Sequence, residues 1–478
     1  MTLLDLVILI LYLSAMLGVG CYFLRKNESA EDYYVGGRRM GSFSVGLSVV
    51  ATDVGGGFSI GLGGLGFTMG LSGSWMLFTG LIGAWLAAVL LIPRVAALPG
   101  SNKFFTFPQV LNRLYAPRVA LVAGIISGIG YAGFTSAQIL AGAKLASSVF
   151  PSLNLHAAML VMGAVIVLYT VFGGIKAVIY TDVVQWLILM AGLLLIGLPL
   201  GYHAVGGMQG LREVLPPEML TFTAIGWPRL INWGVTIIPI WFVGMTLYQR
   251  MFACADVRTA RRAWFLAGLF EWPVMAFMGV LLGLFARAAA IQGQFEILGV
   301  TSASALDPEK GLPMLLRTIL PTGLLGLMLT AYFSAIMSTA DSCLMAASGN
   351  LVTDICGERF GLANNPRRLL RLSQAATLLI GAAALLLATV MENVLELMLH
   401  SYAFMVSGLL VPVIGGFTWR KASPTGALWA MIAGGCTTLI LTIMRVPLPY
   451  GLDANVFGIV FSMVVFILLS LLYPRRGE

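Results

Sequence analysis

Charge is what this sequence has least of: Asp, Glu, Lys and Arg make up 10% of its 478 residues, while 59% are hydrophobic. Such a chain cannot cover a water-facing surface, which rules out the roughly three soluble domains its length alone would suggest. Cysteine is scarce and scattered. The five (Cys21, Cys254, Cys343, Cys356 and Cys436) are odd in number and include no CxxC pair, which argues against a disulfide framework or a zinc site. The three histidines, His156, His203 and His400, are isolated. With no HExxH and no Ser/His/Asp set, nothing points to an enzyme. The formal net charge of +8 is no nucleic-acid footprint, because the basic residues fall almost wholly in short loops.

What remains is apolar sequence in long runs, with a mean hydropathy of +0.93. Runs of about 20 apolar residues are what bilayer-spanning helices need. Thirteen are legible, roughly 3–24, 44–68, 72–97, 119–149, 156–172, 178–202, 230–250, 262–290, 314–345, 369–391, 394–417, 425–444 and 455–473. The chain is thus an all-α polytopic membrane protein whose first partner is the lipid bilayer. Its first run contains Asp5 and has no basic residue before it but Arg25-Lys26 after it, the reverse of a signal peptide's charge order, so it reads as a retained span. Most of the 28 Lys and Arg lie on one side, at 25–39, 94–118, 176, 250–262, 359–371, 420–421 and 475–476. The positive-inside rule makes that side cytoplasmic in a cell membrane, with the N-terminus outside and the C-terminus inside.

One run does not suit a plain span. Ser48 to Gly66 carries Asp53 and the triple glycine Gly55-Gly56-Gly57. Each interior glycine weakens a helix by about 1 kcal/mol relative to alanine, so the helix is expected to break there. Unwound backbone survives at membrane depth only where it lines a cavity, and an acid at that depth marks a functional site. Close packing through small residues would explain Gly61, Gly64 and Gly66, but neither Asp53 nor the triple glycine. The seventh run holds Pro239 between Gly234 and Gly244, which predicts a second interruption beside Trp241. Two interrupted spans, five apart, point to an inverted-repeat transporter with a midplane site.

Other polar residues fall in the same class. Ser338, Asp341 and Ser342 share one face of the ninth span with Thr339 beside them, an oxygen set suited to a small hard cation. Back-bonding of hydroxyls to the preceding turn is the alternative for Ser and Thr alone. Asp182 lies a turn inside the sixth run, either as a cap or on an ion path. Tyr131, Phe134, Thr135 and Gln138 form a stripe on the fourth that suits packing or a pore lining equally. The loop Glu31–Arg39 reads as a solvated connector, and Thr106–Tyr115 as a short amphipathic helix along the cytoplasmic surface.

Taken in order, these motifs resemble the sodium/solute symporter family, which includes sodium/proline, sodium/glucose, sialic acid and choline transporters. The carrying residues are Asp32-Tyr-Tyr-Val-Gly-Gly-Arg38 in the first loop, Ala51-Thr-Asp-Val-Gly-Gly56 at the break, Gly173-Gly174 through Gln185, and Ser338-Thr-Ala-Asp-Ser342. The resemblance implies a five-plus-five inverted-repeat (LeuT-like) core at 44–417, with one span before it (1–43) and two after it (418–478). The core's halves would be 44–202 and 230–417. It implies a main sodium ion between the carbonyls of Ala51, Val54 and Ala335 and the hydroxyls of Ser338 and Thr339. A second cation would sit among Asp182, Ser338, Asp341 and Ser342, where Asp341 replaces a hydroxyl of the family pattern; a proton shared between Asp182 and Asp341 is the alternative. Solute-contacting candidates are Asp53, Gly55, Gly56, Gly57, Phe134, Gln138 and Trp241. Gly57 replaces an aromatic of the proline branch, which implies a roomier pocket. Asp53 stands where the choline branch has tryptophan, so a full cation–π cage is not implied. The expected function is sodium-coupled uptake of a small polar organic solute. A solute sensor without useful flux, or a carrier of a quaternary amine such as choline, are the alternatives.

Overall fold

A computed structural model describes residues 3–24, 35–53, 55–150, 153–172, 175–300, 302–352 and 366–474. The described residues form helices and short connections, with one isolated bridge between Met40 and Cys254 in place of any sheet. The helices cover all thirteen apolar runs. First come α1 (Leu3–Leu24), the two halves of the second run, α2 (Ser42–Asp53) and α3 (Gly56–Met69), then α4 (Trp75–Leu86), which continues through a π turn to Ala96. The amphipathic α5 (Phe107–Leu114) buries Phe107, Val110 and Leu111, and Tyr115 after it hydrogen-bonds Pro412 O. This helix therefore leans on the bundle as well as lying at its end. Then follow α6 (Pro117–Val149), α7 (Leu155–Phe172) and α8 (Ile175–Gly192).

The seventh run divides into α9 (Trp227–Val243) and α10 (Met245–Ala253), bent by 42°. The bend falls at Gly244, whose backbone is extended (ψ 113°), and not at Pro239, which sits inside a continuous helix. Missing only its own N–H, Pro239 is tolerated at the cost of one hydrogen bond, whereas the extended ψ at Gly244 stops the helix outright. The eighth run is interrupted too, a feature the sequence reading passed over. α11 (Val257–Leu269) ends in the π turn Phe270–Met275, with Trp272 non-helical, before α12 (Ala276–Ile291).

The ninth run starts later than expected. Residues 314–319 belong to a separate helix, α13 (Pro308–Ile319), and α14 (Leu324–Gly349) follows a turn at Leu320–Gly323. Pro321 disfavours helical backbone in the residue before it, and Gly323 takes a positive φ of 85°. Asp5 of α1 accepts from the N–H groups of Gly323 (2.8 Å) and Gly326 (2.9 Å), capping α14 as a carboxylate at a helix N-terminus does. The chain closes with α15 (Pro366–Ala388), α16 (Val394–Thr418), α17 (Pro424–Ile443) and α18 (Ala454–Leu472).

α14 is the central post: all its residues from Met328 to Gly349 are buried. Glycine lets neighbours pack tightly on it and on α3. A side chain at Gly66 would strike the Val280 carbonyl of α12, for example. Outward faces are apolar, as lipid contact requires: Leu195, Leu379 and Leu472 are exposed. The first loop is less solvated than expected at its described end. Arg38 donates to Phe104 O (2.7 Å), and Met40 pairs with the end of α10 through Met40 N to Ala253 O (3.0 Å). The part of that loop at 25–34, Gly173-Gly174 and Arg359 lie outside the described residues.

Candidate functional site

The break between α2 and α3 falls within the predicted stretch, after Asp53, and α14 passes beside it. Gly55 has a positive φ, and a side chain there would collide with the Thr339 hydroxyl, so the close approach of α14 depends on glycine. Thr339 Oγ1 donates toward Ala335 O (3.0 Å) on its own helix and lies 3.3 Å from Ala51 O at the end of α2. Ala51, Gly55, Ala335, Ser338, Asp182 and Gln185 line one small cavity of about 10 Å³, room for a single water or a bare ion. Carbonyls at a broken helix end lack intrahelical partners, which frees Ala51 O; together with Ala335 O inside α14 and the Ser338 and Thr339 hydroxyls it makes an oxygen set of the kind a hard cation takes. Val54 lies outside the described residues.

Three of the four residues of the expected second cation site, Asp182, Ser338 and Ser342, gather beside a side chain the sequence reading had placed in a loop. Arg250, on α10, is fully buried. Its guanidinium donates to Asp182 Oδ2 (3.1 Å), Ser342 Oγ (3.0 Å), Ser48 Oγ (2.9 Å) and Thr52 Oγ1, and to the Thr246 carbonyl (3.3 Å). Asp182 also accepts from Ser48 (2.5 Å) and from Ser338. Asp341 Oδ1 accepts from Thr170 on α7, and its other oxygen is buried with no partner among the described residues. Asp182, Ser338 and Ser342 are thus brought together, with a guanidinium among them, while Asp341 is engaged by a different helix.

The solute candidates divide. Phe134 stacks on Tyr402 of α16, centroids 4.9 Å apart and planes 19° apart, and the Tyr402 hydroxyl donates to Asp53 Oδ1 (2.9 Å). Phe134, Tyr402 and Asp53 therefore form one connected set. Gln138 accepts from Gly57 N (3.2 Å), satisfying an unpaired N–H at the start of α3. A side chain at Gly57 would clash with that amide at 2.6 Å, so the glycine serves the cap. Gly56 opens α3. Trp241 is fully buried but turned toward Gly83 of α4 and Trp264 of α11.

Sequence reasoning missed Arg250, Tyr402 and Glu271. Arg250 looked like the first residue of a basic loop, because the run 230–250 ended on it. Glu271 had a usable signal, an acid inside an apolar run and two residues before a proline. It is fully buried, against Gly80 of α4. Toward the opposite end of the bundle, Lys144 of α6 pairs with Asp307 (2.8 Å) and Glu309 (2.7 Å). Glu309 in turn accepts from the N–H groups of Val394 and Leu395, both at 2.9 Å, at the start of α16. A cavity of about 1130 Å³ opens there, lined in part by Gly61, Gly64, Glu309, Leu395 and His400.

The comparisons with known proteins agree with this architecture. The sodium:solute symporter family pattern matches residues 33–434. The high-affinity proline transporter PutP of Bacillus subtilis is 28% identical over 437 residues, 89% of each chain. The sodium/pantothenate symporter of Escherichia coli is 26% identical over 484 residues, covering 96% of this chain and 94% of that one. Among solved structures, a Na+-coupled sialic acid symporter in its substrate-bound outward-open state superposes with a TM-score of 0.80 at 19% identity, over 100% of both chains. The fold is therefore that of a sodium-coupled carrier, and the chain belongs to the sodium:solute symporter family.

Proposed function

We propose that this protein imports a small polar organic solute together with sodium by alternating access, using the inverted-repeat core at 44–417. The observation that carries the reading is the small cavity at the broken helix, where Ala51, Ala335 and Ser338 meet beside the Thr339 hydroxyl. Sodium held by those oxygens would join α14 to the end of α2. Solute bound at the same break, near Asp53, Phe134 and Tyr402, would favour the same conformation. Each ligand then strengthens the other's binding, which is coupling in the thermodynamic sense. The cytoplasmic side in this reading is the one bearing Arg258, Arg261 and Arg262.

We infer one sodium per cycle rather than two. The specific support is Arg250, whose guanidinium reaches Asp182 and Ser342 and neutralises the charge a second cation would answer. The test is uptake into proteoliposomes driven by an inward sodium gradient, with sodium activation measured at fixed solute. Symport predicts accumulation above equilibrium that collapses when the gradient is dissipated. A sensor predicts solute binding without accumulation.

A further inference from the structure

The small cavity at the broken helix has a wall that the ion does not explain. Asp182, Gln185, Trp186 and Leu189 line it from α8, at the i, i+3, i+4 and i+7 spacing that places them on one helical face. The groups facing α8 are acceptors. Ser338 gives its hydrogen to Asp182 Oδ1 and Thr339 gives its own to Ala335 O (3.0 Å), which leaves both hydroxyl oxygens with lone pairs to offer. Asp182 is already filled, accepting from Ser48 (2.5 Å) and Arg250 (3.1 Å) as well. Trp186 differs from all of these. It is 4% exposed, its ring packs edge-on against Phe270 with centroids 4.9 Å apart, and its indole N–H has no partner among the described residues. An indole nitrogen can only donate.

A donor on this wall does nothing for sodium, which takes oxygen lone pairs and is repelled by the hydrogen of an N–H. A buried N–H left unmade is costly, and the cavity it borders, about 10 Å³, has room for one water or one bare ion but not for both. A water suits the whole lining. It accepts from the indole N–H and donates to acceptors such as Ala51 O and Ser338 Oγ, within the two to four polar partners a buried water needs. The ion suits every polar group there except the indole. The two occupants therefore compete, and the indole favours water.

Resting on the symport reading above, we propose that Trp186 sets the exchange of sodium for water in this cavity, holding a water through its N–H when the ion leaves and so keeping sodium affinity low enough for release. The test is the melting temperature of the purified protein in nanodiscs as sodium replaces potassium at constant ionic strength, with no solute added. Trp186→Phe keeps an aromatic ring against Phe270 and deletes the donor. Incorporating 3-benzothienylalanine at position 186 keeps the full ring outline, with sulfur in place of the N–H. Either change should lower the half-saturating sodium concentration about threefold to tenfold, the factor for one hydrogen bond. A residue that only braced the site would raise it when replaced. Leu189→Ala widens the same wall without removing a donor and should not lower it. Half-saturation unchanged or raised by the benzothienyl replacement overturns the proposal, and so does an equal fall with Leu189→Ala. In those cases a sodium response in wild type, weakened by Ser338→Ala, leaves the symport reading standing. A wild type with no sodium response defeats that reading and this proposal together.

Discussion

Replacing Arg250 with Leu tests the centre of the structure most directly. The guanidinium and Asp182 are 3.1 Å apart and both fully buried. Their attraction is on the order of 5 kcal/mol at an effective dielectric of about 20, offset by what both charges lost on leaving water. Removing one partner strands the other, and such truncations cost about 3–5 kcal/mol. Arg250→Leu also releases Ser48, Thr52 and Ser342, which hold α2 and α14 to α10 through the same side chain. The double variant Arg250→Leu/Asp182→Leu removes the stranded charge and should recover most of the loss, because well-packed apolar pairs often match buried ion pairs. Unfolding titrations in mixed micelles would close the double-mutant cycle. A coupling above about 2 kcal/mol is expected, and losses that add within about 0.5 kcal/mol would refute the pairing. The same variants test ion stoichiometry. Arg250→Gln leaves Asp182 and Ser342 without their cation, so the Hill coefficient for sodium should rise above one if a guanidinium stands in for a second ion. A coefficient near two in the wild type would refute the one-sodium inference instead.

Four further outcomes are expected. Ser338→Ala/Thr339→Ala should raise the sodium concentration needed for half-maximal transport while insertion stays intact, and unchanged sodium activation would remove these hydroxyls from the ion site. Tyr402→Phe deletes the donor to Asp53 (2.9 Å) and should weaken solute binding by about 1.5–3 kcal/mol, the range for hydrogen bonds to charged groups, read as a shift in the solute concentration for half-maximal uptake. Gly66→Ala forces a methyl against the Val280 carbonyl, an overpacking that should cost about 1–3 kcal/mol in the same unfolding titration. Asp256, in the loop before α11, accepts from Thr259 N (2.7 Å), and that bond holds its carboxyl below the ordinary carboxylate range. A lowered folded-state value stabilises the fold above the unfolded pKa and is lost as pH falls below about 4, so Asp256→Asn should flatten the acid side of the melting profile relative to wild type.

The spans were readable because lipid leaves few options: long apolar runs must be helices, and the basic loops between them mark the turns. The break at Gly55–Gly57 was readable because three glycines and an acid contradict a plain span. The break at Gly244 was not, since Pro239 offered a stronger local signal five residues earlier and a helix can absorb one proline. Glu271 was hidden by its setting, one acid in a run whose average hydropathy stayed high. Arg250 was misread for a physical reason. Positive-inside counting treats every arginine at the end of an apolar run as loop, but a long side chain one turn inside can fold back into the bundle when acids wait there. Partners so distant in sequence, with Asp182 68 residues away and Ser342 92, leave no trace in periodicity or spacing.

The placement of Arg250 bears on how sodium could do work in this fold. In a carrier the ion must favour one conformation over another, and it can do so only by differential contact. Here one guanidinium already ties α2, α8, α10 and α14 together through Ser48, Thr52, Asp182 and Ser342. Those helices therefore need no ion to stay assembled at that level. What the guanidinium does not reach is the opening at the break, where Thr339 Oγ1 stands 3.3 Å from Ala51 O beside Gly55. An ion there would replace one long hydrogen bond with several short oxygen contacts, so its energy would fall on the α2–α14 junction and not on the whole bundle. Opening toward the Arg258 side would then require breaking that junction while the guanidinium either travels with α10 or lets α2 go. A cross-link between α2 and α10 that spares transport would assign the motion to α14, and one that abolishes it would assign it to the Arg250 bonds.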